Sequence, residues 1–400
     1  MTRSAIRLVA LVFVLFFGPS LVGEPFAILP KAILPPAMQP AGNLILDAVR
    51  CGTATMAQEL SPLERRFLSN VRQVTKEHTR AGEGYFSPDG TTIIYQAVPA
   101  DYPFYQIFTQ RLDGGAPKLI STGRGRTTCS YFHPDGKRIL FASSHTDPHL
   151  DQTEAEGRKL AEEVKRSGKR PRYQWDFDPY MDLFETDLDG KILRRLTNQY
   201  GYDAEGAYSA DGQWIAYCHD SEASEDKPLT AEKAANPDIY LMKSDGTQVR
   251  RLTSAPGYDG GPFISPDGKW VVFRSDRKRA EYLQIYVIGV DGKNEVALTD
   301  TQGVNWGPYW HPKAPYLLWS GADHSDPNAR PNYDLWLARY TVQDGKFSID
   351  TPIRITDYEG GDVLPVFSPD GKKLMWTSTR TSDRSSQLFL GDFRLPDGPN

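Results

Sequence analysis

Acidic, amide and imidazole side chains recur at two kinds of place in this 400-residue sequence. Glu83, Thr127, Asp203 with Glu205, Asp259, Asn305 and Asp362 each stand a few residues ahead of a short apolar run, whereas His145, His219 and His324 follow such runs. Three chemistries compete for residues of these types. Carboxylates around an opening make a negative funnel for cations or basic groups. Imidazoles and carboxylates converging on one point could hold a divalent cation, with His145, His219 and His324 as the candidate ligands. Asp and Asn also cap turns and accept from backbone N–H groups with no ligand involved. Which applies depends on whether the fold brings these groups together.

The apolar runs come in a repeated form. FSPDGTTIIYQA, from Phe86, is two short runs joined by Ser87-Pro88-Asp89-Gly90, an order that suits a type I turn. The stretch reads as a β-hairpin. Near-copies are YFHPDGKRILFAS, AYSADGQWIAYCH, FISPDGKWVVFRS, YWHPKAPYLLWSG and VFSPDGKKLMWTS, six in all. Five keep Asp-Gly; Lys313-Ala314 in the fifth is expected to turn differently. A second hairpin alternates with the first, as in IYLMKSDGTQVRRLT from Ile239 and IYVIGVDGKNEVALT from Ile285.

Two hairpins make a four-stranded antiparallel unit that cannot bury both faces alone and must stack on copies of itself. Four strands in roughly 45 residues is the repeat of a propeller blade. The spacing therefore predicts an all-β, six-bladed β-propeller over residues 61–398, with a helical insertion in blade two. The last second hairpin, LFLGDFRLPDG, lacks an outer strand, while NVRQVT from Asn70 looks like the missing "RRLT" strand. Pairing of residues 70–75 with 388–393 is the expected closure, which removes the open sheet edges. Strand direction then puts the loops before each inner strand and after each second strand on one face.

SPDG hairpins alternating with "IYxMxxDGxxxRRLT" resemble the TolB-like, WD-repeat-like β-propeller family, over about four-fifths of the chain. These are turn and core residues, so the resemblance implies fold more than activity. TolB proper carries a globular domain ahead of its propeller, where only about 60 residues of leader and linker are read here. Prolyl-oligopeptidase-type enzymes add an α/β-hydrolase domain, but no G-x-S-x-G elbow occurs in this sequence. Oligogalacturonate lyases, also TolB-like propellers, use histidines and a metal on such a face; none of their motifs matches here.

Lys and Arg number 46 against 51 Asp and Glu, a net charge of −5, so bulk charge offers nucleic acid no attraction. Cys51, Cys129 and Cys218 do not make a disulfide framework, and the last two fall on different blades as buried free thiols. Arg3 and Arg7 precede LVALVFVLFF, a run too short to span a bilayer comfortably. It reads as an export signal, giving a periplasmic or secreted protein with no membrane span in the mature chain, with an uncleaved anchor as the alternative. Residues 1–60 are taken as signal, leader and linker.

The insertion, residues 145–182, is the chain's individual feature. DQTEAEGRKLAEEVKRSG reads as a surface helix, acidic at its start and basic at its end. YQWDFDPYMD, with Trp175 and Asp178, is expected to pack across the propeller face as an anchor, a lid or a partner-binding edge. With the strands spent on packing, function is expected from the loop face. The favoured expectation is a monomeric, non-catalytic module that binds a protein or peptide partner through Glu83, Asp203, Glu205, Asp259, Asn305, Asp362, Trp175 and Asp178. The alternative is a carbohydrate-active enzyme acting on an oligosaccharide, with a divalent cation or carboxylate site at the channel mouth.

Overall fold

A computed structural model describes residues 59–167, 178–220, 236–326 and 331–396. They form six antiparallel sheets, each with a core of four strands. The inner strands are Arg80–Phe86, Thr127–Phe132, Ala204–Tyr208, Asp259–Ile264, Val304–Trp310 and Asp362–Phe367, in blades one to six. Each is followed outward by the second, third and outer strands of its blade, and inner strands of successive blades pack on one another. The molecule is a six-bladed β-propeller.

The repeated turns explain why these segments form hairpins. In blade one the Ser87 carbonyl accepts from Gly90 N–H at 2.8 Å, and Gly90 takes φ +70. Ser87 Oγ binds Asp89 at 2.6 Å and accepts from Thr92 N–H at 3.0 Å. Where His replaces Ser the ring takes over part of this role: His133 Nδ1 accepts from Asp135 N–H, and His311 Nδ1 accepts from both Lys313 and Ala314 N–H. The fifth turn, without Asp-Gly, closes instead with Tyr316 N–H on the Ala314 carbonyl at 2.7 Å.

The second hairpins share another device. The Thr of "RRLT" turns its hydroxyl inward to accept a backbone N–H near the start of the third strand. Thr253 does so for Ile239 at 2.9 Å, Thr197 for Leu183, Thr299 for Ile285 and Thr356 for Leu335, and Ser121 serves Ile107. In blade six the same bond runs from Leu388 N–H to Thr75, over 300 residues away in sequence. The outer strand there is Leu68–Gln73, paired antiparallel with Gln387–Phe393 from Leu68↔Phe393 to Gln73↔Phe389. The first described strand thus completes the last blade. It begins at Leu68, two residues ahead of the stretch that resembles the repeat, because Phe67 and Leu68 bury themselves with Trp376 and Phe393.

The insertion carries helix α1, Leu150–Ser167, between the second and third strands of blade two. Its anchor is Glu154, 3% exposed, which accepts from Tyr102 Oη and Arg124 Nε, each at 2.7 Å, and from Gly125 N–H at 3.2 Å. Gly157 lets the helix approach blade one, since a Cβ there would meet Phe104 Cζ at 2.4 Å. The rest of α1 is a surface helix, with Leu160 52% exposed.

Candidate functional site

Each inner strand breaks its ladder at the same place, four residues before the first turn residue. The register shifts fall between Gly82 and Gly84, Thr128 and Tyr131, Ala204 and Ala207, Gly260 and Phe263, Trp306 and Tyr309, and Val363 and Val366. The residues at the bulges, Glu83, Cys129, Glu205, Gly261, Gly307 and Leu364, all have φ between +44 and +60. A left-handed residue inside a strand re-aims its side chain, here toward the axis. Only two of the six are glycine. The other four hold a conformation that L residues resist, a cost tolerated where the surroundings fix it.

A bulge frees a backbone N–H, which must find an acceptor. The second strand of the preceding blade supplies three. Thr377 Oγ1 accepts from Glu83 N–H at 3.0 Å, Gln96 Oε1 from Cys129 N–H at 3.3 Å, and Ser320 Oγ from Leu364 N–H at 2.9 Å. At blade four the equivalent preceding residue is Cys218, and Glu205 reaches across to take the Gly261 N–H instead.

Two residues beyond the bulges, Tyr85, Tyr131, Phe263 and Tyr309 meet on the axis with ring centroids 5.0–6.1 Å apart. The Tyr131 and Tyr309 hydroxyls lie 3.0 Å apart. This aromatic cluster narrows the channel toward the turn face, leaving a cavity of about 20 Å³ lined by all six inner strands. Toward the loop face the channel widens to a chamber of about 90 Å³. A single water needs roughly 10–15 Å³ on this measure, so the chamber admits a group several times larger. Gln96, Tyr105, Arg126, Thr128 and Trp306 stand on its wall, and Glu83, Cys129, Glu205, Arg274 and Leu364 line both spaces.

The charged centre of this waist is Arg274, 9% exposed, paired with Glu205 through Nη2 at 3.0 Å. Tyr258 Oη donates to Glu205 and accepts from Arg274 Nη2 at 2.8 Å. Glu205 also lies 3.6 Å from Cys218 Sγ, so its carboxylate is surrounded by donors. Arg274 Nε is buried without a hydrogen-bond partner among the described residues. Across the channel Glu83 accepts from Tyr85 Oη at 3.2 Å. Burial, reinforced by the negative charge of Glu205, pushes the Glu83 carboxyl above its ordinary range, against the pull of Arg274.

No protein-family model matches the chain. A stretch of 165 residues is 29% identical to an uncharacterized protein of Agrobacterium fabrum, covering 40% of each chain. Over 158 residues it is 27% identical to the Tol-Pal system protein TolB of Anaeromyxobacter dehalogenans, covering 40% of this chain and 26% of that one. The match thus spans well under half the length of either relative. Among solved structures, the putative TolB of Agrobacterium tumefaciens superposes with a TM-score of 0.50 at 20% identity, covering 79% of this chain and 91% of that one. The chain has a TolB-like β-propeller fold.

Within this TolB-like propeller, the residues singled out from the sequence divide into two groups. Glu83 and Glu205 lie inside strands, at the waist, rather than in the loops ahead of them; the bulges turn them inward. Asp203, Asp259 and Asp362 stand at the rim, buried at the starts of inner strands, and each has a cationic or ionisable partner in its own blade. Asp203 takes His219 Nδ1 at 2.6 Å, Asp259 takes Arg277 at 2.5 Å, and Asp362 shares the buried Arg380 with Glu64. Burial alone would lower His219, but the bond to Asp203 raises it. Asn305 binds Gln284 and Thr301 and accepts from Trp319 Nε1. Asp178 accepts from Tyr180 N–H at 3.0 Å and sits 3.8 Å from Arg126. Trp175 lies outside the described residues.

The three histidines keep separate company. His145 binds Ser143 Oγ at 2.9 Å and packs on Phe184, His219 holds Asp203, and His324 contacts Tyr333 Oη at 3.3 Å. Among the described residues no three His, Cys, Asp or Glu side chains are grouped to hold a metal ion. Sequence reasoning passed over Arg274, Tyr258 and Gln96. The signal was available: aligning the six hairpins on their turns puts Gln96, Ala142, Cys218, Arg274, Ser320 and Thr377 at one position, where Arg274 is the single cation.

Proposed function

We propose that this propeller is a binding module that takes a segment of a protein or peptide partner into the chamber through the loop face. What carries the reading is the axial asymmetry: a channel packed with aromatic rings toward one face and widened toward the other, where a buried arginine meets a ring of strained residues. Strain of this kind gathers at ligand-binding sites. The relative named as a Tol-Pal system protein supports a role within an assembly. We further propose that the chain acts outside the cytoplasm, on the strength of its N-terminal apolar run. No helix of the described residues is long and apolar enough to cross a membrane.

Photo-crosslinking from inside the chamber tests this reading. A benzophenone side chain replacing Thr128, on the chamber wall, should yield one dominant adduct with a second protein in intact cells. The same group replacing Leu188, which is 43% exposed on blade two away from the chamber, should not. Equal labelling from both positions, or none from Thr128, would remove the proposal.

A further inference from the structure

Two residues at the channel waist hold donors without a hydrogen bond among the described residues. The first is Arg274. Both of its hydrogen bonds run through Nη2, and its Nη1 stands above Gly261, where a Cβ would come within 2.3 Å of it. Glycine at that bulge is what lets the guanidinium lie there. The second is Gln96. Its Oε1 accepts from Cys129 N–H and from Thr128 Oγ1 at 2.8 Å, which settles the amide orientation and leaves Nε2 as the remaining group on the chamber wall. A backbone N–H can only donate, so the amide cannot be reversed without losing that bond.

The acceptors on this wall are differently placed. Glu205 is already met by Arg274, Tyr258 and Gly261. Glu83 already accepts from Tyr85 Oη, and burial pushes its carboxyl above the ordinary range. Arg126 stands at the mouth, over the Phe104 ring at 4.2 Å. A buried guanidinium with an open N–H, a primary amide donor and a second arginine at the entrance are complementary to an anion with planar acceptor oxygens.

We propose that the waist of the channel recognises a carboxylate carried by the entering peptide, an Asp or Glu side chain or a chain terminus, through Arg274 Nη1 and Gln96 Nε2. This rests on the reading that the chamber receives a peptide, and it adds which chemical group is read at the bottom. The chamber volume suits a carboxymethyl group and its nearest methylene better than a whole folded element. A sugar acid presents the same group, and the test separates the two sources.

The probes are matched pairs: N-acetyl-glutamate α-amide against N-acetyl-glutamine α-amide, and galacturonate against galactose, each titrated into the full chain and followed by NMR. The glutamate compound should bind at least tenfold more tightly than the glutamine compound. Gln96→Met, which keeps the shape and removes the donor, should narrow that ratio at least threefold. Arg274→Gln combined with Glu205→Gln, which avoids a lone buried charge, should abolish it. Unchanged melting of Gln96→Met keeps the test readable if the double variant misfolds. No discrimination within the amino-acid pair would overturn the proposal, and so would discrimination within the sugar pair alone. If discrimination fails while the Thr128 crosslink persists, peptide capture survives and only the carboxylate assignment falls; if both fail, the binding reading falls with it.

Discussion

The rim and the waist of this propeller are built from the same six repeats and treat them oppositely. At the rim the blades agree. A Thr or Ser hydroxyl caps the third strand in every blade, and in blades two, three and five an arginine of the outer strand pairs with an Asp at that strand's start, as Arg251 does with Asp238. At the waist they disagree: Glu, Cys, Glu, Gly, Gly and Leu occupy one backbone position with one positive φ. Agreement among blades marks what closes the ring, and variation on a fixed backbone marks what the channel reads.

Paired substitutions can break that contrast, and the largest effect is expected at Arg274. Arg274→Met strips the counter-charge from a buried carboxylate and should cost about 3–5 kcal/mol of stability in urea unfolding. Adding Glu205→Gln should return most of it. At the rim, Arg251→Met removes a cation that is 38% exposed from the buried Asp238 and should cost less, about 1–3 kcal/mol. Equal losses at the two sites would erase the distinction.

The hydroxyl caps come next. Thr253→Val and Thr75→Val each leave a buried N–H without its acceptor, a loss of about 1–3 kcal/mol apiece. Because Thr75 follows the closing strand and binds Leu388 N–H, its variant alone should also speed hydrogen exchange across 387–393. Gly261→Ala is smaller, about 1–2 kcal/mol for a left-handed alanine. Its more telling effect is on binding, since the new methyl displaces Arg274 Nη1.

The smallest effect is on pH dependence. Glu83 holds its proton more tightly folded than unfolded, so its contribution is fully present below the ordinary carboxylate range and is lost as pH rises through the folded value. Glu83→Gln should therefore match the parent near pH 4 and melt higher at pH 8. A parent that gains on the variant as pH rises would reverse the assigned sign.

The fold was legible because its determinants are local. Each turn closes with nearby residues, and each hairpin repeats, so six copies announced six blades. The rim acids were legible as residue types but not as pairs. Asp362 meets Arg380 within reach of its own hairpin, yet shares it with Glu64, which arrives from the far end of the chain. The waist was hidden for a different reason. A bulge leaves no composition signal, since Glu-Gly, Cys-Ser, Gly-Pro and Leu-Pro all occupy it, and only superposing the copies exposes the shared position. Arg274 looked like one more strand residue in "FRS" because its partners, Glu205 and Tyr258, belong to other hairpins and loops.

Side-chain nitrogen NMR of the arginines addresses the waist most directly. On adding N-acetyl-glutamate α-amide, the guanidinium resonances of Arg274 should move, while those of Arg195, Arg251 and Arg354 at the rim stay in place; the glutamine compound should move none. Shifts confined to the rim arginines, with Arg274 unmoved, would contradict the account.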